Sequence, residues 1–158
     1  MPLTPFHLGP GLLLGTLFFR FISLPAILLG SVVLDLECLY NIILGIRPWH
    51  GFFHTLTGAA VAAIIIVIVL FLLRKQIESI MKFFKLEQKQ KVLAIIVGSF
   101  IGIYLHLLFD WFTHSWMEPI PGQGNPFYLG PQGTIVIYVA CVIMGIIGLV
   151  LLIRRMMK

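Results

Sequence analysis

Charge is scarce in this chain. Only 11% of its 158 residues are Asp, Glu, Lys or Arg, against 59% hydrophobic. That balance leaves no room for a separate soluble domain and places the chain among polytopic membrane proteins. Cysteine is nearly absent. Cys38 and Cys141 both fall inside apolar segments, where they read as small packing residues rather than a disulfide or a metal site. No internal repeat of the transporter kind is present. The opening Met1-Pro2-Leu3-Thr4-Pro5 lacks a basic n-region and an A-x-A-like site, so the first span is expected to remain in the mature protein. The formal charge of +5 does not point to nucleic acid, because the basic residues flank apolar spans.

What is present is a series of five apolar segments, at about residues 7–22, 24–46, 50–73, 92–114 and 134–153. The expectation is an all-α, single-domain membrane bundle of about five transmembrane helices, in which the third to fifth segments meet the roughly 20-residue requirement for crossing. Ser23 is a candidate N-cap for the second, with Pro25 in its tolerated first turn. Arg20, the run from Arg74 to Lys91 and the terminal Arg154, Arg155 and Lys158 share one side of such a bundle, and only Arg47 falls on the other. The positive-inside rule then puts the N-terminus outside and the C-terminus inside, in a multi-pass protein of the cell (plasma or inner) membrane. Between the third and fourth spans, Ile77, Ile80, Met81 and Phe84 recur at helical spacing, which predicts a cytoplasmic amphipathic helix over about 76–90. The stretch 116–133, with Pro119, Pro121, Gly122, Gly124, Pro126, Gly130, Pro131 and Gly133, reads as a non-helical outer loop. Trp116, Phe127 and Tyr128 in it favour the interface.

The unusual polar residues gather on the outer side of this topology. His106, Asp110 and His114 are spaced by four and share one helix face. His50 and His54 have the same spacing at the start of the third span. Asp35 and Glu37 lie in the second span and His7 opens the first. At a rise of about 1.5 Å per residue, His7, Asp35 and His106 sit roughly 16–22 Å from the cytoplasmic ends of their spans, and His54 near 30 Å. Four spans can thus deliver ligands to one layer. Ionisable groups are expensive in a membrane and read first as a functional site. Imidazole with carboxylate suits a divalent transition metal, Zn first, with Mn or Fe as alternatives.

Each residue also has a simpler explanation. His7 can be a helix-end hydrogen-bonding residue, His50 beside Trp49 an interfacial one, and His114 a solvated one. Asp35 and Glu37 point about 200° apart on a regular helix, so both reach one site only if the helix breaks. Asp35 is the favoured ligand, and Glu37 a second ligand or the general base. Tyr40 and Asn41 are candidate outer donors.

Four short motifs resemble the YdjM-like family of inner-membrane-associated, metal-dependent hydrolases. Phe6-His7-Leu8 resembles its opening His motif, and Leu34-Asp35-Leu36-Glu37 its P-D-x-D motif. His50-Gly51-Phe52-Phe53-His54-Thr55 is similar to its H-R-G-x-T-H-S motif, and His106-Leu107-Leu108-Phe109-Asp110 matches its H-x-x-x-D motif. Asn125-Pro126 resembles an N-P element of some members. Leu34 replaces Pro, Glu37 replaces the second Asp, the paired histidines are one residue closer, and the motif's Arg is missing.

The resemblance implies a hydrolase with a likeness to zinc-dependent phospholipases. The residues together lead to a metal site of His7, Asp35, His50, His54, His106 and Asp110, with His114 as an additional candidate. It would hold one or two ions, with Glu37 or Asp35 in a catalytic role. The expected partner is a lipid-like phosphoester at the outer leaflet. Two rival readings remain: a metal or proton transporter, and a membrane interaction protein with a structural metal. Gly98, Ser99 and Gly102, and Gly145 and Gly148, permit close helix contacts within one chain or in a homo-oligomer.

Overall fold

The computed structural model describes residues 5–118 and 122–157; residues 1–4, Pro119, Pro121 and Lys158, singled out above, lie outside them. Among the described residues the chain is helical with no strand. Its elements are α1 (Pro5–Leu17), α2 (Leu24–Gly30), α3 (Asp35–Ile43), a 3-10 turn (Phe52–His54), α4 (Leu56–Leu72), α5 (Arg74–Phe83), α6 (Val92–Thr113) and α7 (Gly130–Met156).

Local chemistry sets the helix starts. The Ser23 hydroxyl accepts from the Ala26 N–H at 3.3 Å and caps α2, with Pro25 in the first turn. The Thr55 hydroxyl accepts from the Gly58 N–H at 3.1 Å and caps α4. After Phe83 the chain leaves helical geometry, and Lys85 takes a left-handed φ of 56°.

By length and apolarity, three helical stretches can cross a membrane: Leu24–Ile43, Val92–Thr113 and Gly130–Met156. A fourth is reached only if α4 and α5, bent by 74° at Leu73, are counted together as one span. The remaining apolar helix, α1, has 13 residues. At about 1.5 Å per residue it is shorter than the roughly 30 Å hydrocarbon core.

The packing runs α1 on α7, α2 on α6 and α4 on α6. Glycines bring these pairs together. A Cβ at Gly102 would collide with the Ile27 carbonyl oxygen, and one at Gly9 with the Cys141 carbonyl oxygen. The small residues on α6 and α7 therefore serve contacts inside this chain. Gly9 faces Cys141 and Gly145, Leu12 and Leu13 face Gly148, and Phe19 lies under Arg155, so α1 and α7 run parallel. Ser23 meets Ala94 and Ser31 meets His106, so α2 and α6 also run parallel. The Tyr104 hydroxyl reaches the Leu56 carbonyl, which sets the start of α4 against the far half of α6.

One end of the bundle gathers arginines and the segment after α5. Gln88 donates to the carbonyls of Phe19 (2.5 Å) and Ile22 (2.7 Å) and accepts from the Leu24 N–H (3.0 Å). Gln90 accepts from the Ser23 hydroxyl at 2.5 Å. These bonds tie residues 84–91 to the α1–α2 connection.

Several sequence expectations are corrected. The first helix stops at Leu17, and residues 18–22 are turn. The second span is not one regular helix, because turns at 31–34 separate α2 from α3. Helix in the third segment begins at Leu56, so His50 and His54 do not share a helical face. The amphipathic helix covers Arg74–Phe83, not 76–90, because Lys85 reverses the chain. Gly130, Pro131 and Gly133 belong to the first turn of α7; proline is tolerated there because that N–H has no helical partner.

Candidate metal centre

The histidine end of the bundle is built around Asp110, which is 1% exposed on α6. Its Oδ1 lies 3.4 Å from His7 Nε2 and 3.4 Å from His114 Nδ1. Its Oδ2 lies 3.2 Å from His106 Nε2, 3.8 Å from His54 Nε2 and 3.9 Å from His50 Nε2. All five histidines of the chain thus meet one carboxylate. Asp35 joins through Oδ1, 3.8 Å from His106 Nε2.

Six different backbone segments supply these groups. His7 comes from α1 and Asp35 from the start of α3, just after the turns at 31–34. His50 lies in the loop before the 3-10 turn and His54 ends that turn. His106 and Asp110 lie one turn apart on α6. His114 follows the end of α6 with extended backbone, which corrects its placement on the helical face. It is nevertheless buried, at 6% exposure, and its Nδ1 lies 2.9 Å from the Thr113 hydroxyl and 3.2 Å from the Asp110 carbonyl oxygen.

The ring orientations are fixed from behind. His54 Nδ1 donates to Glu37 Oε2 at 2.9 Å, leaving Nε2 on the Asp110 side. His106 Nδ1 lies 2.8 Å from the Ser31 carbonyl oxygen and so carries the proton, again leaving Nε2 on the Asp110 side. A histidine whose far nitrogen is held by a carboxylate or carbonyl is the usual arrangement behind a metal ligand. His50 Nδ1 accepts from the Trp116 indole at 3.4 Å. Outside the helices, His50 is kept neutral at pH 7, because burial first and then the neighbouring His54 push its pKa down to about 4.

Glu37 is the organiser of the loop. Besides His54 it accepts the backbone N–H groups of Gly51 (3.1 Å) and Phe53 (3.2 Å). One turn on, the Asn41 amide donates to the Trp49 carbonyl at 3.0 Å. Asp35 and Glu37 face different groups, as two positions on one helix must, with Asp35 towards His106 and Glu37 towards the loop. Tyr40 is 59% exposed. On the other side, the Asn125 amide donates to the carbonyls of Trp111 (2.7 Å) and His114 (2.8 Å), pinning the chain that leaves α6.

The donor set fits a metal ion. Ligand atoms of His7, His106 and Asp110 lie within 4.8 Å of one another, as do those of Asp35, His54 and His106, and those of His50, Asp110 and His114. His54 Nε2, His106 Nε2 and Asp110 Oδ2 are buried and make no hydrogen bond. Orphaned polar atoms of this kind are costly, and a cation among them removes the cost. The donors are nitrogen and oxygen throughout, since Cys141 lies at the α1–α7 contact and neither cysteine belongs to these groups.

Sequence reasoning missed three contributors. The Ser31 carbonyl carried no signal, because a backbone group shows in no residue pattern. The Trp116 indole was legible only as an interfacial aromatic, and Thr113 only as a helical residue.

A cavity of about 380 Å³, lined by His50, Gly51, His54, Thr55, Trp116 and Glu118 among others, opens beside the centre. A second, apolar cavity of about 470 Å³ runs between α3 and α4 past Val33, Leu36, Tyr40, Phe53 and Ile65 to Glu37.

No protein-family model, curated protein or solved structure matches this chain. What the fold and site define is a class: an all-helical protein with helices suited to a membrane and a buried His/Asp cluster able to hold a metal ion.

Proposed function

We propose that this chain is a metal-dependent hydrolase of the cell membrane that cleaves a lipid-like phosphoester at the outer leaflet. The observation that carries the reading is Asp110, ringed by five histidines, with its own Oδ2 and the Nε2 atoms of His54 and His106 buried and without hydrogen bonds. The parallel α1–α7 and α2–α6 pairs, which fit segments that alternate in direction along the chain, and the arginines at the opposite end support an N-out, C-in arrangement of five membrane segments, with α1 inserted part-way.

Zinc is the proposed ion, with Mn or Fe as alternatives and one or two ions per chain. A divalent ion there supplies Lewis acidity and lowers the pKa of a coordinated water towards neutrality. The chain's own residues do the rest. Glu37 holds His54, and the Ser31 carbonyl holds His106, so that both Nε2 atoms converge. Asp110 Oδ1 faces His7 and His114 and its Oδ2 faces His50, His54 and His106, so these residues would together hold the ion or ions. With three donors already on its carboxylate, Glu37 is a positioning residue, and Asp35 is the carboxylate that would take a proton from water. The apolar cavity between α3 and α4 supports a substrate with a hydrocarbon tail. A transport role finds less support, since α6 below His106 carries only Ser99 and Tyr104 as polar side chains.

The test is elemental mass spectrometry on detergent-purified protein and on its His106→Ala and Asp110→Ala variants, followed by a screen of phospholipids and lipid-linked phosphates. One or two equivalents of metal, lost in both variants, with metal-dependent release of phosphate, are expected. A protein that takes up no metal at neutral pH refutes the reading. A metal-loaded protein that cleaves none of these lipids refutes the substrate.

A further inference from the structure

The end of the bundle opposite the histidines holds a second concentration of unusual groups. A cavity of about 940 Å³ lies between the C-terminal parts of α1 and α7, lined by Thr16, Leu17, Arg20, Leu151, Arg154, Arg155 and Met157. Three of the chain's five arginines face it. Among the described residues no carboxylate forms an ion pair with any of them; every such pair there involves a histidine.

The positive-inside rule accounts for basic residues at this end but not for their arrangement. A topology signal needs only charge. The segment 74–91 meets that need with five lysines and one arginine. The cavity, by contrast, has arginine alone, the side chain whose planar fork matches phosphate oxygens in pairs. Arg155 is already oriented, because its guanidinium lies 4.2 Å from the centroid of the Phe19 ring. Leu17, Leu151 and Met157 give the same cavity apolar walls. The C-termini of α1 and α7 oppose an anion here, each with about half a negative charge. Three guanidinium groups outweigh those two dipoles and leave the cavity clearly positive.

We propose that this cavity binds the phosphate group of an anionic phospholipid, with the phosphate on Arg20, Arg154 and Arg155 and the start of an acyl chain along Leu17 and Leu151. This site lies apart from the metal centre and does not depend on the hydrolase reading. Basic pockets between membrane helices commonly hold acidic headgroups.

Native mass spectrometry of the full chain in neutral detergent tests it, with phosphatidylglycerol and phosphatidylcholine as probes. The measurement is repeated on Asp110→Asn, so that turnover at the other end cannot consume the probe. Retention of phosphatidylglycerol at least about tenfold above phosphatidylcholine is expected. The Arg20→Gln/Arg154→Gln/Arg155→Gln variant should lose that preference. The Arg154→Lys/Arg155→Lys variant, which keeps charge and topology, should lose part of it. Lys82→Gln/Lys85→Gln removes two charges from the same end and should leave it intact. Displacement of the lipid by millimolar inorganic phosphate would show that phosphate alone is recognised, and persistence would show that the lipid is required. Equal retention of the two lipids, an unchanged preference in the arginine-to-glutamine variant, or an equal loss in the lysine variant would overturn the proposal.

Discussion

Glu37 Oε2 stands 2.9 Å behind His54 Nδ1, while His54 Nε2 looks across 3.8 Å to Asp110 Oδ2. One carboxylate aims the imidazole, and the other belongs with it to the cluster that could hold a metal ion. In Glu37→Gln, the new amide group would face either N–H donors of the loop or the His54 proton. Metal affinity should fall by about 10- to 100-fold while the helices persist. Chelator competition with circular dichroism on the same samples checks both halves.

Acid should empty the centre and loosen the loop. Protons compete with metal for imidazole, so metal retention should decline as pH falls below about 6.5. His50 adds a metal-independent effect. Its folded pKa, about 4, lies below the unfolded value of 6.5. Between those values the unfolded chain takes up a proton that the folded chain refuses. This contribution is fully present above pH 6.5 and is lost as pH falls to about 4, amounting to at most about 3 kcal/mol. Denaturant unfolding of chelator-treated protein at pH 7 and pH 4.5 should show this loss, and His50→Gln should reduce it.

Gly102 sits where α6 touches α2. A Cβ added there would run into the Ile27 carbonyl oxygen. Backbone meets backbone at this contact, so neither partner can rotate away. Gly102→Ala should cost about 1–3 kcal/mol. Gly122→Ala, also at a glycine but in open space with a φ of 79°, should cost about 1 kcal/mol through backbone strain alone. Unfolding midpoints in mixed micelles compare the two.

Gln88 makes three hydrogen bonds to backbone groups around the α1–α2 connection. Gln88→Ala should leave those groups to water or unpaired, at about 1–3 kcal/mol. Faster proteolysis near residues 84–91, with metal content unchanged, is the expected signature.

Orientation is open to cysteine labelling, since both native cysteines are buried. Gln123→Cys should react with an impermeant maleimide on intact cells, and Glu87→Cys only after permeabilisation. The reverse pattern would place the histidine end inside.

The legible parts of this molecule are those governed by local chemistry. Ser23 and Pro25 mark the start of α2, because a cap and a first-turn proline act within three residues of themselves. His106 and Asp110 share a face, because a helix repeats every 3.6 residues. His50 and His54 misled for the same reason, since their spacing of four imitates a helix although both precede α4. His114 lies one residue beyond the helix that its spacing suggested.

The amino-acid sequence by itself determined that the chain forms apolar helices with the histidines at one end and every arginine but Arg47 at the other, because hydrophobic runs and charge placement act without reference to distant residues. Tertiary structure alone decided which groups the polar residues meet. Glu37 finds the N–H groups of Gly51 and Phe53, His106 finds the Ser31 carbonyl, and Asp110 finds histidines from four other elements and its own helix. Those partners are far apart in the chain, many are backbone atoms common to every residue, and only the packing of α2 and α4 on α6 fixes their positions.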